Sequence, residues 1–221
     1  MAYIIQFGLL VIAYLLGSIP WGVVFGKIKG IDIREHGSKN IGATNTGRVL
    51  GQRYAIYTYI LDMVKGALIV FLFRFGIIPM KYCLLEEPLI YGFAAVLGHT
   101  FSVYLKFRGG KAVATGGGVI FGYCPWLLLA GLAVFFLATF ISKYVSVGSL
   151  TSATFALVMT VILAILGSDP LIPGLKITFT LPLVTAVIYV IIIIRHKSNI
   201  QRIIRKSESK VSWRLPRKRD K

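Results

Sequence analysis

Long apolar runs alternate with short polar stretches along almost the whole chain. Most of these runs approach the roughly 20 residues that a helix needs to cross the hydrocarbon core of a bilayer. One run, 112–123, is too short for a straight crossing and indicates a tilted or half-helix. The pattern therefore predicts an all-α, polytopic membrane protein with about seven transmembrane helices. The seven runs cover residues 4–24, 55–78, 88–105, 112–123, 126–142, 147–167 and 178–195.

Composition supports the membrane prediction and changes the meaning of the charge. The chain has 221 residues, of which 56% are hydrophobic, and its formal net charge is +17. Its mean hydropathy of +0.77 indicates more apolar surface than a soluble domain can bury. A charge of this size on a soluble protein would suggest nucleic acid, but here it lies between the apolar runs and near the C-terminus. We therefore expect no nucleic-acid partner and interpret the charge as a topology signal.

The positions of the cationic residues predict the sidedness. If seven spans are threaded with the N-terminus outside, 21 of the 25 Lys and Arg residues fall on one side. The positive-inside rule makes that side cytoplasmic. We therefore expect the N-terminus outside, the C-terminus in the cytoplasm, one membrane domain over residues 1–206, and a basic tail over residues 207–221.

Two polar features lie inside the apolar runs. Gly17-Ser18-Ile19-Pro20 interrupts the first run, which predicts a kink or close helix packing there. Asp62 and Lys65 are three residues apart in the second run, so on a helix they share a face and can pair. We interpret the pair as support for neighbouring loops rather than as a direct ligand contact.

The first polar cluster, residues 37–51, is rich in glycine, hydroxyl and amide groups. Glycine lets backbone amides turn toward a ligand, and such amides beside a cation form a concavity suited to phosphate. The alternative interpretation is an ordinary flexible loop between membrane helices. The candidate ligand residues of this cluster are Ser38, Asn40, Gly42, Ala43, Thr44, Asn45 and Arg48.

The second polar cluster, residues 98–115, contains an Arg-Gly-Gly-Lys turn just before a short apolar run. Amides at a helix start beside cations again describe an anion site, whereas the alternative is a basic loop that meets lipid headgroups. The spacing of a nucleotide-binding P-loop is absent. The candidate residues are His99, Arg108, Gly109, Gly110 and Lys111.

The third polar cluster, residues 195–202, follows the last apolar run, and Glu208 lies just beyond it. Its alternative interpretation is a basic juxtamembrane stretch that fixes topology. His196 and Asn199 are three residues apart, so a helical continuation would place both on one face, where they could hold a ligand together.

Other chemistry finds little support in the sequence. His and acidic residues do not stand at metal-ligand spacing, so no metal is expected. No serine nucleophile elbow or Cys–His pairing occurs, and Cys83 and Cys124 have neither metal nor redox spacing. The His-x-x-x-x-Asp arrangement of soluble-type glycerolipid acyltransferases is also missing. What the three clusters share is a supply of donors and positive charge, which suits phosphate groups.

Together these stretches resemble the bacterial acyl-phosphate:glycerol-3-phosphate acyltransferases (PlsY type). The matching motifs are Gly-Ser-Ile-Pro at 17–20, the 37–48 stretch, Asp62-x-x-Lys65-Gly66, the 98–115 stretch, and Arg195-His196-x-x-Asn199-Ile200-x-Arg202 followed by Glu208. They occur in the expected order over nearly the whole chain. Four positions depart from the usual pattern: Arg108 replaces Lys, Ala112 replaces Gly, Ser102 replaces Pro, and Lys39 stands where Gly is common.

The resemblance implies a seven-helix enzyme of the bacterial inner membrane, without metal or organic cofactor and active at the cytoplasmic face. It would transfer an acyl group from acyl phosphate to the 1-hydroxyl of glycerol 3-phosphate, giving lysophosphatidic acid and phosphate. Its partners would be these two substrates and membrane lipid, and we expect a monomer. The predicted catalytic residues are Ser38, Asn40, Lys111, His196 and Asn199. The predicted substrate-binding residues are Gly42, Ala43, Thr44, Asn45, Arg48, His99, Arg108, Gly109, Gly110 and Glu208.

Two rival classes of protein remain open at this point. A transporter for an organic phosphate would also need cytoplasmic anion sites, but it ordinarily needs a polar pathway through the bilayer. A non-catalytic lipid-binding membrane protein would not need the density of donors found in residues 37–48. The acyl donor's own phosphate is our hypothesis for the proton acceptor, because no side chain is an obvious general base.

Overall fold

The structure, a computed structural model, describes residues 1–172 and 174–211. Within these ranges it contains ten α-helices, three short 3₁₀ turns and no strand apart from one isolated bridge between Ser168 and Lys176. The predicted tail is described only as far as residue 211. The α-helices are α1 Ala2–Ser18, α2 Trp21–Ile28, α3 Ala43–Leu50, α4 Gln52–Arg74, α5 Leu89–Thr100, α6 Val113–Tyr123, α7 Pro125–Ser142, α8 Val145–Leu166, α9 Thr180–Arg195 and α10 Lys197–Ile204.

Each predicted apolar run contains a helix, which confirms the all-α prediction. By length and hydropathy, α4, α7 and α8 can each cross a membrane alone. The bent pairs α1–α2 and α9–α10 raise the number of candidate spans to five among the described residues, while α5 and α6 belong to shorter apolar segments. Seven crossings and the orientation of the termini stay predictions.

The predicted break in the first run is confirmed as a bend of 47° between α1 and α2. Ile19 and Pro20 lie in the break, where the Lys65 ammonium donates to the Ile19 carbonyl at 2.7 Å. Lys65 also lies 2.7 Å from the Asp62 carboxylate, and both side chains are buried. Asp62 and Lys65 therefore pair as the spacing predicted, and Lys65 also supports the break between α1 and α2.

The polar stretch 25–54 is more ordered than a connecting loop. It contains the end of α2 and the whole of α3, and α4 begins at Gln52. The segment Ala43–Leu50 has only eight residues and few of them are apolar, so its helix could not be recognised from long apolar runs.

Glycines allow the central helices to approach each other closely. A Cβ added at Gly66 of α4 would collide with the Thr115 carbonyl of α6, and one at Gly118 of α6 would collide with the Met63 carbonyl of α4. Small residues at helix crossings allow such contact between backbones in membrane proteins. This packing places the start of α6, and the turn before it, beside α4.

Candidate active site

A polar cavity of about 130 Å³ lies where the three polar clusters meet. It is enclosed by the start of α3, the turn before α6, the start of α8, the break between α9 and α10, and the segment after α10. All five predicted catalytic residues line it, as do seven of the ten predicted substrate-binding residues. These twelve are Ser38, Asn40, Gly42, Ala43, Thr44, Asn45, Arg48, His99, Lys111, His196, Asn199 and Glu208.

The loop before α3 is held in place by two asparagine side chains. Asn45 donates to the carbonyls of Ile33 and His36, at 2.9 and 3.2 Å, and accepts from the Ser38 amide at 2.7 Å. The Asn40 side chain accepts from the Gly42 amide at 2.9 Å. The side-chain amide of Asn45 and the backbone amide of Gly42 thus both donate to groups of the protein. Neither is free in this structure to bind a phosphate.

The amides of Ala43 and Thr44, at the start of α3, are differently placed. Neither donates to any acceptor in the part of the chain that the structure describes. Both residues line the polar cavity, and Arg48 follows one turn later on the same helix. Amides at a helix N-terminus carry a partial positive charge, so this end of α3 can bind an anion.

A chain of hydrogen bonds crosses the cavity from Lys111 to Arg202. Lys111 donates to the side-chain oxygen of Asn199, and Asn199 donates to Glu208 at 2.7 Å. Arg202 donates to the other oxygen of Glu208 at 2.6 Å, and Ser146 donates to the carboxylate at 3.3 Å. Glu208 thus accepts from three protein groups and orients Asn199, and a direct contact of Glu208 with substrate stays a prediction.

The ionisation of this chain follows from its burial and its partners. Burial alone would raise the pKa of Glu208, but hydrogen bonds from Arg202 and Asn199 hold that pKa below its ordinary value. Burial lowers the pKa of Lys111 to about 8; the negative charge of Glu208 opposes this shift, and nearby arginines add to it. Lys111 is therefore a cation at neutral pH that loses its proton at mildly alkaline pH.

His196 is buried at the break between α9 and α10. Its Nδ1 lies 2.8 Å from the Ile192 carbonyl oxygen. A carbonyl can only accept, so Nδ1 carries the proton and Nε2 of the neutral ring is left with a lone pair. His196 can therefore accept a hydrogen bond from a hydroxyl group in the cavity.

His99 and Asp62 also line the cavity. The Nδ1 atom of His99 lies 3.7 Å from the Asp62 carboxylate, which already pairs with Lys65. Asp62 and Glu208 are the two carboxylates of the lining, and each has its own cation. Arg48 and Lys111 have no carboxylate within ion-pair distance among the described residues.

Three predicted substrate-binding residues lie outside the cavity lining. Arg108 is exposed, and the amides of Gly109 and Gly110 donate to the carbonyls of Thr100 and His99 at 3.0 and 2.9 Å. The two glycines therefore shape the turn that carries Lys111, and their amides are not free for a phosphate in this structure.

Ser146 and Ser149 line the cavity but were missed by the sequence analysis. They lie in the first turns of α8, Ser146 just before and Ser149 inside the apolar run 147–167, and neither belongs to one of the three polar clusters. Their three-residue spacing puts them on one helix face, and this was the available signal.

An apolar groove of about 650 Å³ adjoins the polar cavity. Residues that line both include Ala43, Thr44, Arg48, Tyr59 and Val113. The rest of the groove is formed mainly by aliphatic, aromatic and glycine residues of α6, α7 and α9, such as Ile120 and Phe136. The cavity thus opens beside a surface suited to a hydrocarbon chain.

Three of the four departures from the usual family pattern lie where the backbone conformation suits the usual residue. Ala112 has φ of 66° and Lys39 has φ of 58°, a region in which glycine is strongly favoured over residues with a Cβ. Ser102 has φ of −62°, which suits proline, and its hydroxyl instead donates to the Ser18 carbonyl at 2.6 Å.

Fold and site define an all-helical integral membrane protein with an electropositive cavity beside a lipid-sized groove. The family model described as glycerol-3-phosphate acyltransferase matches residues 7–206. The chain belongs to the glycerol-3-phosphate acyltransferase family.

Relatives named glycerol-3-phosphate acyltransferase match along nearly their whole length. The protein of Geobacillus kaustophilus is 45% identical over 208 residues, which are 93% of this chain and 95% of the relative. The protein of Bacillus subtilis is 43% identical over 206 residues, covering 93% and 97%.

Solved structures agree with the sequence relatives. A crystal structure of PlsY (YgiH), an integral membrane glycerol 3-phosphate acyltransferase, in its glycerol 3-phosphate form matches with a TM-score of 0.79 at 33% identity, covering 94% of this chain and 96% of that one. The lysophosphatidic acid form matches with a TM-score of 0.77 at the same identity, covering 94% and 95%.

Proposed function

We propose that this protein transfers an acyl group from an acyl phosphate to the 1-hydroxyl of glycerol 3-phosphate, giving lysophosphatidic acid and inorganic phosphate. The observation that carries the proposal is the charge of the polar cavity. Both carboxylates of its lining are neutralised by Lys65 and Arg202, while Arg48 and Lys111 remain without a carboxylate partner in the described ranges. Such a cavity is suited to phosphate dianions.

The two substrates meet different parts of the site. The apolar groove would hold the acyl chain, and the Ala43 and Thr44 amides at its polar end would hold the phosphate of the donor. Arg48 offers a planar fork to two phosphate oxygens, and Lys111 offers a point charge. His196 and Asn199 would bind the glycerol hydroxyls.

An acyl phosphate suits a site of this composition. It is a mixed anhydride, already activated, so catalysis can come from positioning and from stabilisation of developing charge. The 1-hydroxyl oxygen attacks the acyl carbon, the bond from that carbon to the phosphate oxygen breaks, and the leaving phosphate takes the hydroxyl proton. The residues predicted as catalytic would orient these groups: Ser38, Asn40, Lys111, His196 and Asn199.

The remaining parts of the proposal concern the setting. We infer seven crossings of a bacterial inner membrane, with a short α6, the N-terminus outside and the site at the cytoplasmic face, because the cation-rich segments would then lie inside. We also infer a monomer, since the groove and the cavity are both built from one chain.

To test this, purified protein is incubated with radiolabelled glycerol 3-phosphate and with palmitoyl phosphate, palmitoyl-CoA or no acyl donor. Labelled lysophosphatidic acid should form with palmitoyl phosphate only. Formation with palmitoyl-CoA alone would contradict the proposed donor. Uptake of label into proteoliposomes without product would favour the transporter instead. The structure gives that class little support. The only cation–carboxylate pair buried inside a described candidate span, Asp62–Lys65, is already bound to the Ile19 carbonyl through Lys65.

A further inference from the structure

Arg195, the last residue of α9, lies against the turn that carries Lys111. Its Nε donates to the Gly110 carbonyl at 3.0 Å, and its Nη2 donates to the carbonyls of Gly109 and Thr100 at 2.6 and 3.3 Å. Its guanidinium carbon lies 6.0 Å from the centre of the Phe101 ring. Among the residues that the structure describes, no carboxylate lies within ion-pair distance of this half-buried cation.

The carbonyls that Arg195 binds belong to two segments that already pair with each other. Gly109 and Gly110 donate their amides to Thr100 and His99 at the end of α5. A side chain at Gly110 would collide with the His99 ring, so the segments are in close contact. Arg195 therefore joins the end of α5, the turn and the end of α9 through a single planar group.

The neighbours of these contacts are the residues of the polar cavity. Lys111 directly follows Gly110, and His196 directly follows Arg195. Lys111 and Asn199 are 88 residues apart in sequence, so their hydrogen bond depends on how the turn is placed against the end of α9. The Arg195 guanidinium bonds the turn and the end of α5 directly.

We propose that Arg195 is a positioning residue for acyl transfer: by binding the Thr100, Gly109 and Gly110 carbonyls it holds Lys111 against Asn199 beside His196. The proposal rests on the proposed function, because it assigns a role within that site. A small misplacement of a group that orients substrate can cost about a hundredfold in rate.

The test compares Arg195→Ala and Arg195→Lys with Lys197→Ala, which removes an exposed cation two residues away. Arg195→Ala should raise the KM for glycerol 3-phosphate and lower kcat/KM by about a hundredfold. Arg195→Lys should lie in between, because an ammonium keeps the charge but cannot reproduce the planar fork. Lys197→Ala should match the unaltered protein.

The pH profile separates positioning from general loss of folded protein. With its pKa at about 8, Lys111 should give the unaltered protein an alkaline limb near that pH, with activity present below it and lost above it. The charged neighbours that shift this pKa are Glu208, which raises it, and Arg202, Arg48 and Arg195, which lower it. The other titratable groups of the cavity lining are Tyr59, Asp62, His99 and His196.

Removing the Arg195 charge should move the alkaline limb to higher pH, because one cation no longer opposes protonation of Lys111. The limb should stay in place in Arg195→Lys, which keeps the charge. If Arg195→Ala lowered only the amount of active protein, with KM and the limb unchanged, the proposal would be wrong. If that variant did not fold, Arg195→Lys would decide, and unaltered kinetics there would overturn the assignment.

Binding and hydrogen exchange keep this test independent of the proposed reaction. If the unaltered protein transferred no acyl group from any donor, the proposed function would fail by itself. Arg195→Ala should still weaken binding of labelled glycerol 3-phosphate and speed exchange of the Gly109 and Gly110 amides, and Lys197→Ala should do neither. Equal binding and exchange in all three proteins would reject the role of Arg195.

Discussion

The two ends of α8 lie beside charged groups of opposite kind. At its start, Ser146 lines the polar cavity, where Arg48 and Lys111 keep charge that no described carboxylate neutralises. Just beyond its end, Asp169 is buried and accepts hydrogen bonds from the Trp126 indole at 3.0 Å and from the Cys124 thiol at 2.9 Å. The start of α8 thus faces cations without a described carboxylate partner, whereas the region beyond its end holds one carboxylate that accepts hydrogen bonds from its neighbours.

The carboxylate of Asp169 accepts hydrogen bonds from four neighbouring residues of the protein. Besides Trp126 and Cys124, the amides of Leu171 and Ile172 donate to it at 2.8 and 2.9 Å. Burial alone would raise the pKa of Asp169, but these bonds hold that pKa below its ordinary value. A buried charge whose partners all come from the protein stabilises a loop. Arg48 and Lys111 in the polar cavity have no carboxylate partner among the described residues, and this excess of positive charge indicates an anionic ligand.

The largest expected effect comes from filling the space beside the α3 amides. Gly42→Val should lower activity by about a hundredfold or more, because a branched side chain would block a phosphate from the Ala43 and Thr44 amides. The backbone of Gly42 has φ of −82°, and a Cβ there would meet only the Asn40 side chain, at 3.2 Å. The variant should therefore fold. Normal turnover with a normal melting temperature would reject the phosphate site at α3.

The second-largest effect is expected from Arg48, one of the two cavity cations without a carboxylate partner among the described residues. Arg48→Ala should lower kcat/KM by roughly ten- to a hundredfold, since a charged hydrogen bond to bound phosphate contributes about 1.5–3 kcal/mol. Arg48→Lys should also be impaired, because a point charge cannot replace the fork. The matched control is Arg205→Ala, which removes an exposed cation after α10. Equal losses in both alanine variants would mean that the charge serves topology rather than substrate.

At the other end of α8, the expected effect is on stability alone. Asp169→Asn removes the charge that accepts from Trp126 and two amides, so we expect a loss of about 1.5–3 kcal/mol and a lower melting temperature. The KM for glycerol 3-phosphate should not change. A changed KM with unchanged melting temperature would contradict the contrast between the two ends.

The smallest effect concerns the backbone near the site. Lys39 is exposed and has a positive φ, so Lys39→Gly should stabilise the protein by roughly 0.5–1 kcal/mol. Lys39→Ala should give no gain, because alanine keeps the Cβ. Thermal unfolding of the three proteins measures the difference. A gain in the alanine variant alone would show that the lysine charge, and not the backbone, sets the cost.

The sequence predicted a large part of the candidate site because phosphate binding needs particular residue types. The clusters at 37–51, 98–115 and 195–202 were recognisable as breaks in the apolar pattern, and all three line the polar cavity. The roles of single residues were less predictable. Asn45 is committed to the carbonyls of Ile33 and His36, which its place in a glycine-rich loop did not reveal.

Hydropathy alone determined the helical class, because each long apolar run must satisfy its backbone hydrogen bonds internally in a bilayer. Local spacing also determined the Asp62–Lys65 pair, since residues three apart on a helix share a face. Only the tertiary structure decided that Glu208 holds Asn199, that Ser146 enters the cavity, and that Arg195 binds the turn before Lys111. The physical reason is the same for all three. These contacts join segments that are distant in sequence or depend on the path of an irregular segment. The residues meet only because the helices pack together, and no local sequence pattern encodes that packing.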